Sequence, residues 1–312
     1  MYVSPTSELR QSPYDRPQRL VTRLSPYRRA LPSDRPPMRL TDRDRRILEA
    51  IHTHDGFLSD DQVQQLFFSG RSQMLLRMRL LFHHGYINRP NLRQRMGTAR
   101  TIYWLTEQGA AFVAGLSGTP LRDFSWRREP RWAQLDHDIA VNDVRIAVTR
   151  AYQSNDQFRL RSWISSGEFW SHPDKVEFRL PDGRLAKRYV RPDGYCVVQQ
   201  GQYTSRLLWE IDRSTEDNHR WAHEKALPSV AYVLSDVYRL RFGYNAGRWL
   251  VVTTGDRRLT NLKATTEQAL GKHAAMFMFS TFDRVNAKAI LTAPIWLQGN
   301  QPGPTALFNL LS

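Results

Sequence analysis

The chain contains little cysteine and no long apolar segment, and each absence excludes a class of protein. With Cys196 as the sole cysteine in 312 residues, neither an internal disulfide framework nor a cysteine-based zinc site can form. Its neighbours Tyr195 and Val197 favour a buried strand position over a nucleophilic role for this thiol. The sequence has no run of about 18 apolar residues, which a membrane span needs, and its first residues lack the apolar stretch of a secretory signal. We therefore expect a cytoplasmic protein without a membrane partner.

Lysine is also scarce, although the chain is strongly basic. The formal net charge is +15, the sequence pI is near 10.3, and only six of the 45 basic residues are lysine. Arginine suits bidentate contacts with phosphate and guanine, so we expect nucleic acid as the partner, ahead of a membrane or an acidic protein. The length and the 41% hydrophobic content are sufficient for the cores of two ordinary domains.

Residues 1–39 differ in composition from the rest of the chain. They contain seven of the 17 prolines and eight arginines, against three acidic residues. Such a segment cannot bury enough apolar surface to fold alone, so we expect a disordered, extended arm unless a partner orders it. The arm either follows DNA phosphates or is a solvated tail.

Residues 40–118 carry the pattern of three short helices. Thr41 is a predicted N-cap, because an acidic residue follows three positions later. Gly56 ends this first helix, and residues 57–62 open a second one. The third helix ends at Gly85.

Two strand-like runs follow at residues 86–90 and 101–105, with a basic turn between them, and a helix over 106–116 closes the unit. Three helices and a basic two-stranded wing resemble the winged helix-turn-helix family, whose third helix docks in the major groove of double-stranded DNA. A scaffold for dimerisation is the alternative, because winged helices also serve protein contacts. The resemblance implies DNA contacts on the third helix and the wing at Arg71, Gln73, Arg77, Arg79, Arg93, Arg95 and Arg100.

Residues 190–213 place three carboxylates on a predicted hairpin. Asp193 opens one apolar strand, and the next strand puts Glu210 and Asp212 on one face because side chains alternate with period two. Oxygen clusters of this kind suit Mg²⁺ or Mn²⁺, which can activate water for attack on a phosphate. The three residues are therefore predicted metal ligands and catalytic residues. The alternative is a hairpin that is acidic without a metal.

The hairpin resembles the core of the PD-(D/E)XK, or restriction-endonuclease-like, superfamily, which has an Asp after Pro and then Glu-x-Lys on the next strand. Asp212 stands where the superfamily has the lysine that is expected to orient or activate the attacking water. Lys225, the fourth predicted catalytic residue, lies on the following helix and either reaches back to replace that lysine or is solvated. His137, on the preceding helix, either sits near the carboxylates or is a hydrogen-bonded surface histidine.

The elements around the hairpin complete an αβββαβαβ order. We predict an α+β winged helix domain followed, over residues 130–298, by a restriction-endonuclease-like α/β domain with helices on both faces of a mixed sheet. Residues 299–312 are predicted to be a loosely ordered tail. The predicted helices are 132–153, 221–234 and 259–272, and the predicted strands outside the hairpin are 158–164, 249–254 and 276–282.

Several short motifs together resemble the replication-relaxation family of plasmid and mobile-element proteins. The resemblance covers about residues 40–297, and Glu-Ile-Asp-Arg-x-Thr-Glu is its most specific part. It implies DNA binding in the replication or transfer of extrachromosomal elements, and it supplies no agreed reaction. The motifs are Leu40-Thr-Asp-Arg-Asp-Arg-Arg-Ile-Leu, Gly85-Tyr-Ile, Tyr103-Trp-Leu-Thr, His137-Asp-Ile-Ala-Val-Asn142-Asp143, Arg191-Pro-Asp193-Gly194 and Glu210-Ile-Asp212-Arg213-Ser-Thr215-Glu216.

Two functions from different classes are compatible with these residues. One is a non-catalytic DNA-binding protein that acts in replication, transfer or its regulation. Its partners are double-stranded DNA and either a second copy of the chain or the replication and transfer machinery. The other is a metal-dependent DNA nickase or endonuclease that uses Asp193, Glu210 and Asp212. The missing lysine favours the first function, whereas retention of a mutually repelling carboxylate cluster favours the second.

Overall fold

The computed structural model describes residues 24–91, 100–180, 182–214 and 220–309. The chain divides between Trp132 and Ala133 into two compact units. Helices and a large mixed sheet are both present, which confirms the predicted combination of α and β structure. Within the described residues, no helix is long and apolar enough to cross a membrane.

The first unit combines short helices with a small antiparallel sheet in which β3 is the central strand. Its helices are α1 (Asp42–Thr53), α2 (Asp60–Phe67), α3 (Arg71–His83) and α4 (Glu107–Leu116), and its strands are β1 (Phe57–Ser59), β2 (Ile87–Asn88) and β3 (Ile102–Leu105).

Capping boxes begin the first two helices. The predicted N-cap Thr41 accepts a hydrogen bond from Asp44 N, and Asp44 Oδ2 accepts one from Thr41 N (2.7 Å). Ser59 and Gln62 form the same reciprocal pair at α2. Residues 57–59 were predicted to open that helix, but they form β1, because the residues before an N-cap are extended and here they pair with β3.

The segment before α1 packs against the first unit. Arg29 donates from Nε to Phe82 O and from Nη2 to Ile87 O, both at 3.0 Å. These carbonyls lie at the end of α3 and in β2, so the guanidinium satisfies backbone groups at the helix terminus. The predicted arm boundary at residue 39 is therefore corrected, since the segment 29–39 belongs to the folded unit. Residues 1–23 lie outside the described part of the chain.

The second unit is built on a mixed sheet with the strand order β12-β11-β10-β9-β8-β7-β4. In it, β8, β9 and β10 run parallel, and the outer pairs are antiparallel. A separate antiparallel hairpin, β5–β6, was not predicted. The strands are β4 (Phe158–Ser165), β5 (Asp174–Arg179), β6 (Leu185–Val190), β7 (Gly194–Gln200), β8 (Tyr203–Ile211), β9 (Arg248–Thr253), β10 (Phe277–Thr281), β11 (Trp296–Gln298) and β12 (Pro304–Thr305).

Buried side chains cover both faces of this sheet. In β9, Trp249 and Val251 belong to one apolar cluster and Leu250 and Val252 to another, as a period of two requires. The first cluster includes side chains of helices over residues 227–233 and 256–270, and the second includes side chains of a helix over residues 135–153. The helices are α5 (Leu135–Gln153), α6 (Ser166–Ser171), α7 (Leu227–Val233), α8 (Asp236–Phe242) and α9 (Asp256–Leu270), with a π-helical turn (Trp221–Ala226) before α7.

The segment after residue 299 is packed as far as Asn309, which corrects the predicted loose tail. Strand β12 pairs with β11 at the sheet edge. Leu307 is buried, and Phe308 N donates to Leu291 O (2.8 Å). Leu307 and Phe308 therefore complete the core of their own unit.

Candidate DNA interface and buried acidic cluster

The β7–β8 hairpin brings Asp193 opposite Glu210. Gly194 pairs with Trp209, so the two acidic residues occupy the next facing positions. Asp193 Oδ2 accepts a hydrogen bond from Ile211 N (2.8 Å). Both acidic residues are buried, at 9% and 8% exposure. The fold therefore holds two carboxyl groups at the same end of the hairpin.

Two basic side chains join these acids from different helical elements. His137 Nε2, on α5, lies 3.3 Å from Asp193 Oδ2. Lys225 Nζ, in the π-helical turn, lies 2.6 Å from Glu210 Oε1. Of the two alternatives predicted for Lys225, the structure therefore shows the one in which it reaches back to the hairpin. His137 sits beside the carboxylates. We call Asp193, Glu210, His137 and Lys225 the Glu210 cluster.

The protonation states within the Glu210 cluster differ. Burial raises the pKa of Glu210 to about 7, because the charge of Lys225 offsets only part of the desolvation and Asp193 adds repulsion. Burial is the largest influence on Asp193 and opposes its ionisation, but the charge and hydrogen bond of His137, the charge of Lys225 and the hydrogen bond from Ile211 N together outweigh it, so the pKa of Asp193 lies below its ordinary value. The pKa of His137 is raised to about 10, since Asp193 and Asp138 outweigh the effect of its burial. Glu210 is therefore the group that changes charge near neutral pH.

Asp212 belongs to a different set of contacts. Arg258 Nε and Nη2 donate to the two Asp212 carboxylate oxygens, each at 3.0 Å, and Thr253 Oγ1 donates to Oδ2 (2.5 Å). This bidentate pair engages both carboxylate oxygens. The sequence offers no local signal for Arg258, which lies 46 positions away.

The predicted three-carboxylate metal site is not assembled in this arrangement. Glu210 is bound by Lys225, and Asp212 is bound by Arg258. Over the described ranges, no three His, Cys, Asp or Glu side chains form a group that could hold a metal ion. Mg²⁺ and Mn²⁺ favour several oxygen ligands in one shell. The donor set as arranged therefore does not fit either ion.

In the first unit, the N-terminal end of α3 presents polar side chains to solvent. Arg71 is half-exposed and pairs with Asp60 Oδ2 (2.6 Å) and Asp61 Oδ1 (2.7 Å). Gln73 is exposed. Arg100 Nε lies 3.7 Å from Asp61 Oδ2, so two of the predicted DNA contacts meet at one acidic residue.

Arg77, in contrast, serves the fold. Its Nε donates to Asp44 Oδ1 (2.6 Å), its Nη2 contacts Asp44 Oδ2, and Nη2 also donates to Arg39 O (2.8 Å). Asp44 is fully buried; the hydrogen bonds from Arg77 and Thr41 outweigh its desolvation, and its pKa is lowered. The predicted DNA contact at Arg77 is corrected, because its guanidinium neutralises a buried carboxylate.

The other predicted contacts differ in their surroundings. Arg79 is partly buried on α3 and is engaged in interactions within the protein. Arg93 and Arg95 lie outside the described residues. Arg71, Gln73 and Arg100 are the exposed candidates on the described surface, and a DNA contact at Arg79 stays a prediction.

A family model described as replication-relaxation matches residues 48–226, more than half of the 312 residues. No curated protein matches the chain, and no solved structure does. The matched segment includes α3 and all four residues of the Glu210 cluster, and it ends one residue after Lys225. Arg258 lies beyond the matched segment.

Proposed function

We propose, since the chain belongs to the replication-relaxation family, that it binds double-stranded DNA and acts in the replication or transfer of a plasmid or mobile element. The observation that carries this proposal is the orientation of α3. Met74 and Met78 are fully buried, whereas Arg71, Ser72 and Gln73 are exposed. Arginine and glutamine at the start of a docked helix supply the hydrogen-bonding groups that read base edges in a major groove.

The surrounding arrangement supports the same proposal. Three helices are followed by β2 and β3, which pair antiparallel with Ile87 opposite Leu105, as in a winged helix. Asp60 and Asp61 hold the Arg71 guanidinium at the surface, where a DNA phosphate would compete with them for it. A net charge of +15 provides the long-range attraction.

Fluorescence anisotropy with a labelled duplex tests this proposal. The double variant Arg71→Ala, Gln73→Ala should lose about ten-fold or more in affinity, because it removes base-reading groups. Arg122→Ala is the matched control, since it removes an arginine that is 85% exposed in the same unit and is not part of α3. Affinity should also fall steeply with salt. An equal effect of the double variant and the control would refute docking through α3.

A nuclease role for the second unit is the second candidate. The contact between Lys225 Nζ and Glu210 Oε1 favours it, because the resemblance to PD-(D/E)XK enzymes implies a lysine beside the acids. The carboxylates as arranged do not fit a magnesium ion. Incubation of supercoiled plasmid with Mg²⁺ or Mn²⁺ tests cleavage. Nicked circles made by the wild type and not by Asp193→Ala would establish it, whereas intact plasmid would leave the unit as a scaffold.

A further inference from the structure

Four side chains of the second unit form an alternating series of aromatic rings and cations. The guanidinium carbon of Arg191 lies 4.4 Å from the centre of the Trp170 ring and 5.2 Å from that of Tyr189. Lys175 Nζ lies 5.6 Å from the Tyr189 ring centre. We call this set the ring–cation stack. Each contact is within the range of a cation–π interaction.

The ring–cation stack is presented to solvent by a hairpin that is anchored from behind. Lys175 and Tyr189 face each other across β5 and β6, so they share one face. The opposite face carries Val176 and Phe178, which are buried in the core. Trp170 and Tyr189 remain 50% and 52% exposed. Large aromatic side chains are therefore held at the surface on a supported element.

We propose that the ring–cation stack binds single-stranded DNA. Unpaired bases stack on exposed aromatic rings, and neighbouring cations neutralise the phosphates that connect them. Arg191 suits this role because its guanidinium lies over both rings, and its buried Nε has no hydrogen-bond partner in the described part of the chain. A base-paired strand offers no free base face for such stacking.

The charge of the hairpin favours a polyanion over an apolar protein partner. Exposed Arg179 lies on the same face of the hairpin as Lys175 and Tyr189 and extends the basic surface beyond the stack. The acidic Glu177 is paired with Lys187 across the hairpin, and Asp174 is turned to Arg241. The inference goes beyond the proposed duplex binding, because it uses no residue of the first unit.

The position of Arg191 connects the ring–cation stack to the Glu210 cluster. Only one residue, Pro192, separates Arg191 from Asp193, so their Cα atoms are at most about 7 Å apart. A strand stacked on Trp170 and Arg191 would therefore pass close to the buried acids. The second unit would hold an unpaired strand beside a carboxyl group that changes charge near neutral pH.

Anisotropy titrations of the full chain with a short fluorescent oligothymidine test the proposal. Trp170→Ala and Tyr189→Ala should each weaken binding about ten-fold and leave duplex affinity unchanged. Trp170→Phe keeps an aromatic face and should bind nearly as the wild type does. Tyr203→Ala is the matched control, because it removes a tyrosine that is 60% exposed and lies outside the stack.

Unchanged oligothymidine affinity in Trp170→Ala would overturn the proposal, as would an equal loss for duplex and single strand. If Trp170→Ala lowers the melting temperature, its weaker binding could reflect a loss of folding. The Arg191→Lys variant then serves as the test of the stack, since it keeps the charge and loses the planar group. Weaker oligothymidine binding by that variant supports the stack, and wild-type binding refutes it. A wild-type protein that binds oligothymidine but no duplex would refute the proposed function and leave this inference standing.

Discussion

Two buried carboxyl groups, Asp44 in the first unit and Glu210 in the second, meet opposite electrostatic environments. Asp44 accepts hydrogen bonds from Arg77 and from Thr41, and its pKa is lowered despite burial. Glu210 is bound by Lys225 but repelled by Asp193, and burial raises its pKa to about 7. When hydrogen-bond donors compensate the desolvation of a buried carboxylate, the group stays ionised and stabilises the fold. An incomplete set of donors leaves a group that can change charge near neutral pH, which is typical of functional sites.

The largest expected effect tests the structural side of this comparison. Arg77→Ala should lower the free energy of unfolding of the first unit by about 3 to 5 kcal/mol, because it leaves the Asp44 charge buried without a cationic partner. Urea denaturation followed by circular dichroism measures the loss. Arg45→Ala is the control, since its pair with Asp42 is exposed and should contribute less than about 1 kcal/mol. Similar losses in both variants would contradict a structural role for Arg77.

A smaller effect is expected at the Glu210 cluster. Lys225→Met should lower the free energy of unfolding by about 2 kcal/mol, less than Arg77→Ala, because Glu210 can take up a proton when its partner is removed. Adding Glu210→Gln should restore most of the loss, since position 210 then carries no ionisable group. Both variants are compared by urea denaturation at about pH 8, which is above the pKa of Glu210 in the wild type. A double variant no more stable than Lys225→Met would show that the two groups are not coupled.

Local signals in the sequence were sufficient for much of the fold. The capping box of Thr41 and Asp44 was predicted because its members are three residues apart. The β7–β8 hairpin was predicted from alternation on either side of a polar turn. The β5–β6 hairpin was missed although a signal exists: Val176 and Phe178 alternate before an Asp182-Gly183 turn.

The candidate site was harder to predict, because its partners come from distant positions. Period-two alternation correctly placed Glu210 on the hairpin, but it could not separate Glu210 from Asp212. Asp212 differs from Glu210 because it pairs with Arg258, a residue of α9, which follows strand β9 in the chain. Similarly, nothing local distinguishes Arg77 from Arg71, since only the tertiary fold places Asp44 beside one of them. Neighbours that are remote in sequence therefore decide which charged residues serve the fold.

The contribution of His137, which pairs with Asp193 in the Glu210 cluster, to the free energy of unfolding should depend on pH. Its pKa is raised to about 10 from an ordinary 6.5, so the stability it contributes is fully present below about pH 6.5 and is lost as the pH rises through about 10. The free energy of unfolding of the wild type should exceed that of His137→Gln by roughly 1 kcal/mol at the acidic end of that window, because solvent around the partly exposed ring weakens the interaction. Unfolding measured across the window should show the two proteins converging. A constant difference would indicate that His137 does not carry the charge that holds Asp193 ionised.

The central claim, that Asp44 is structural and Glu210 is not, is tested by comparing the unfolding free energies of Asp44→Asn and Glu210→Gln at about pH 8. The raised pKa of Glu210 means that the folded state loses stability as the pH rises from 4.5 through about 7, where the buried group must ionise. Glutamine avoids that loss, so Glu210→Gln should be as stable as the wild type or up to about 1 kcal/mol more stable. Asp44→Asn should be less stable by about 2 kcal/mol or more, because it weakens the pair with Arg77 and the helix cap. A loss in Glu210→Gln as large as that in Asp44→Asn would contradict the claim.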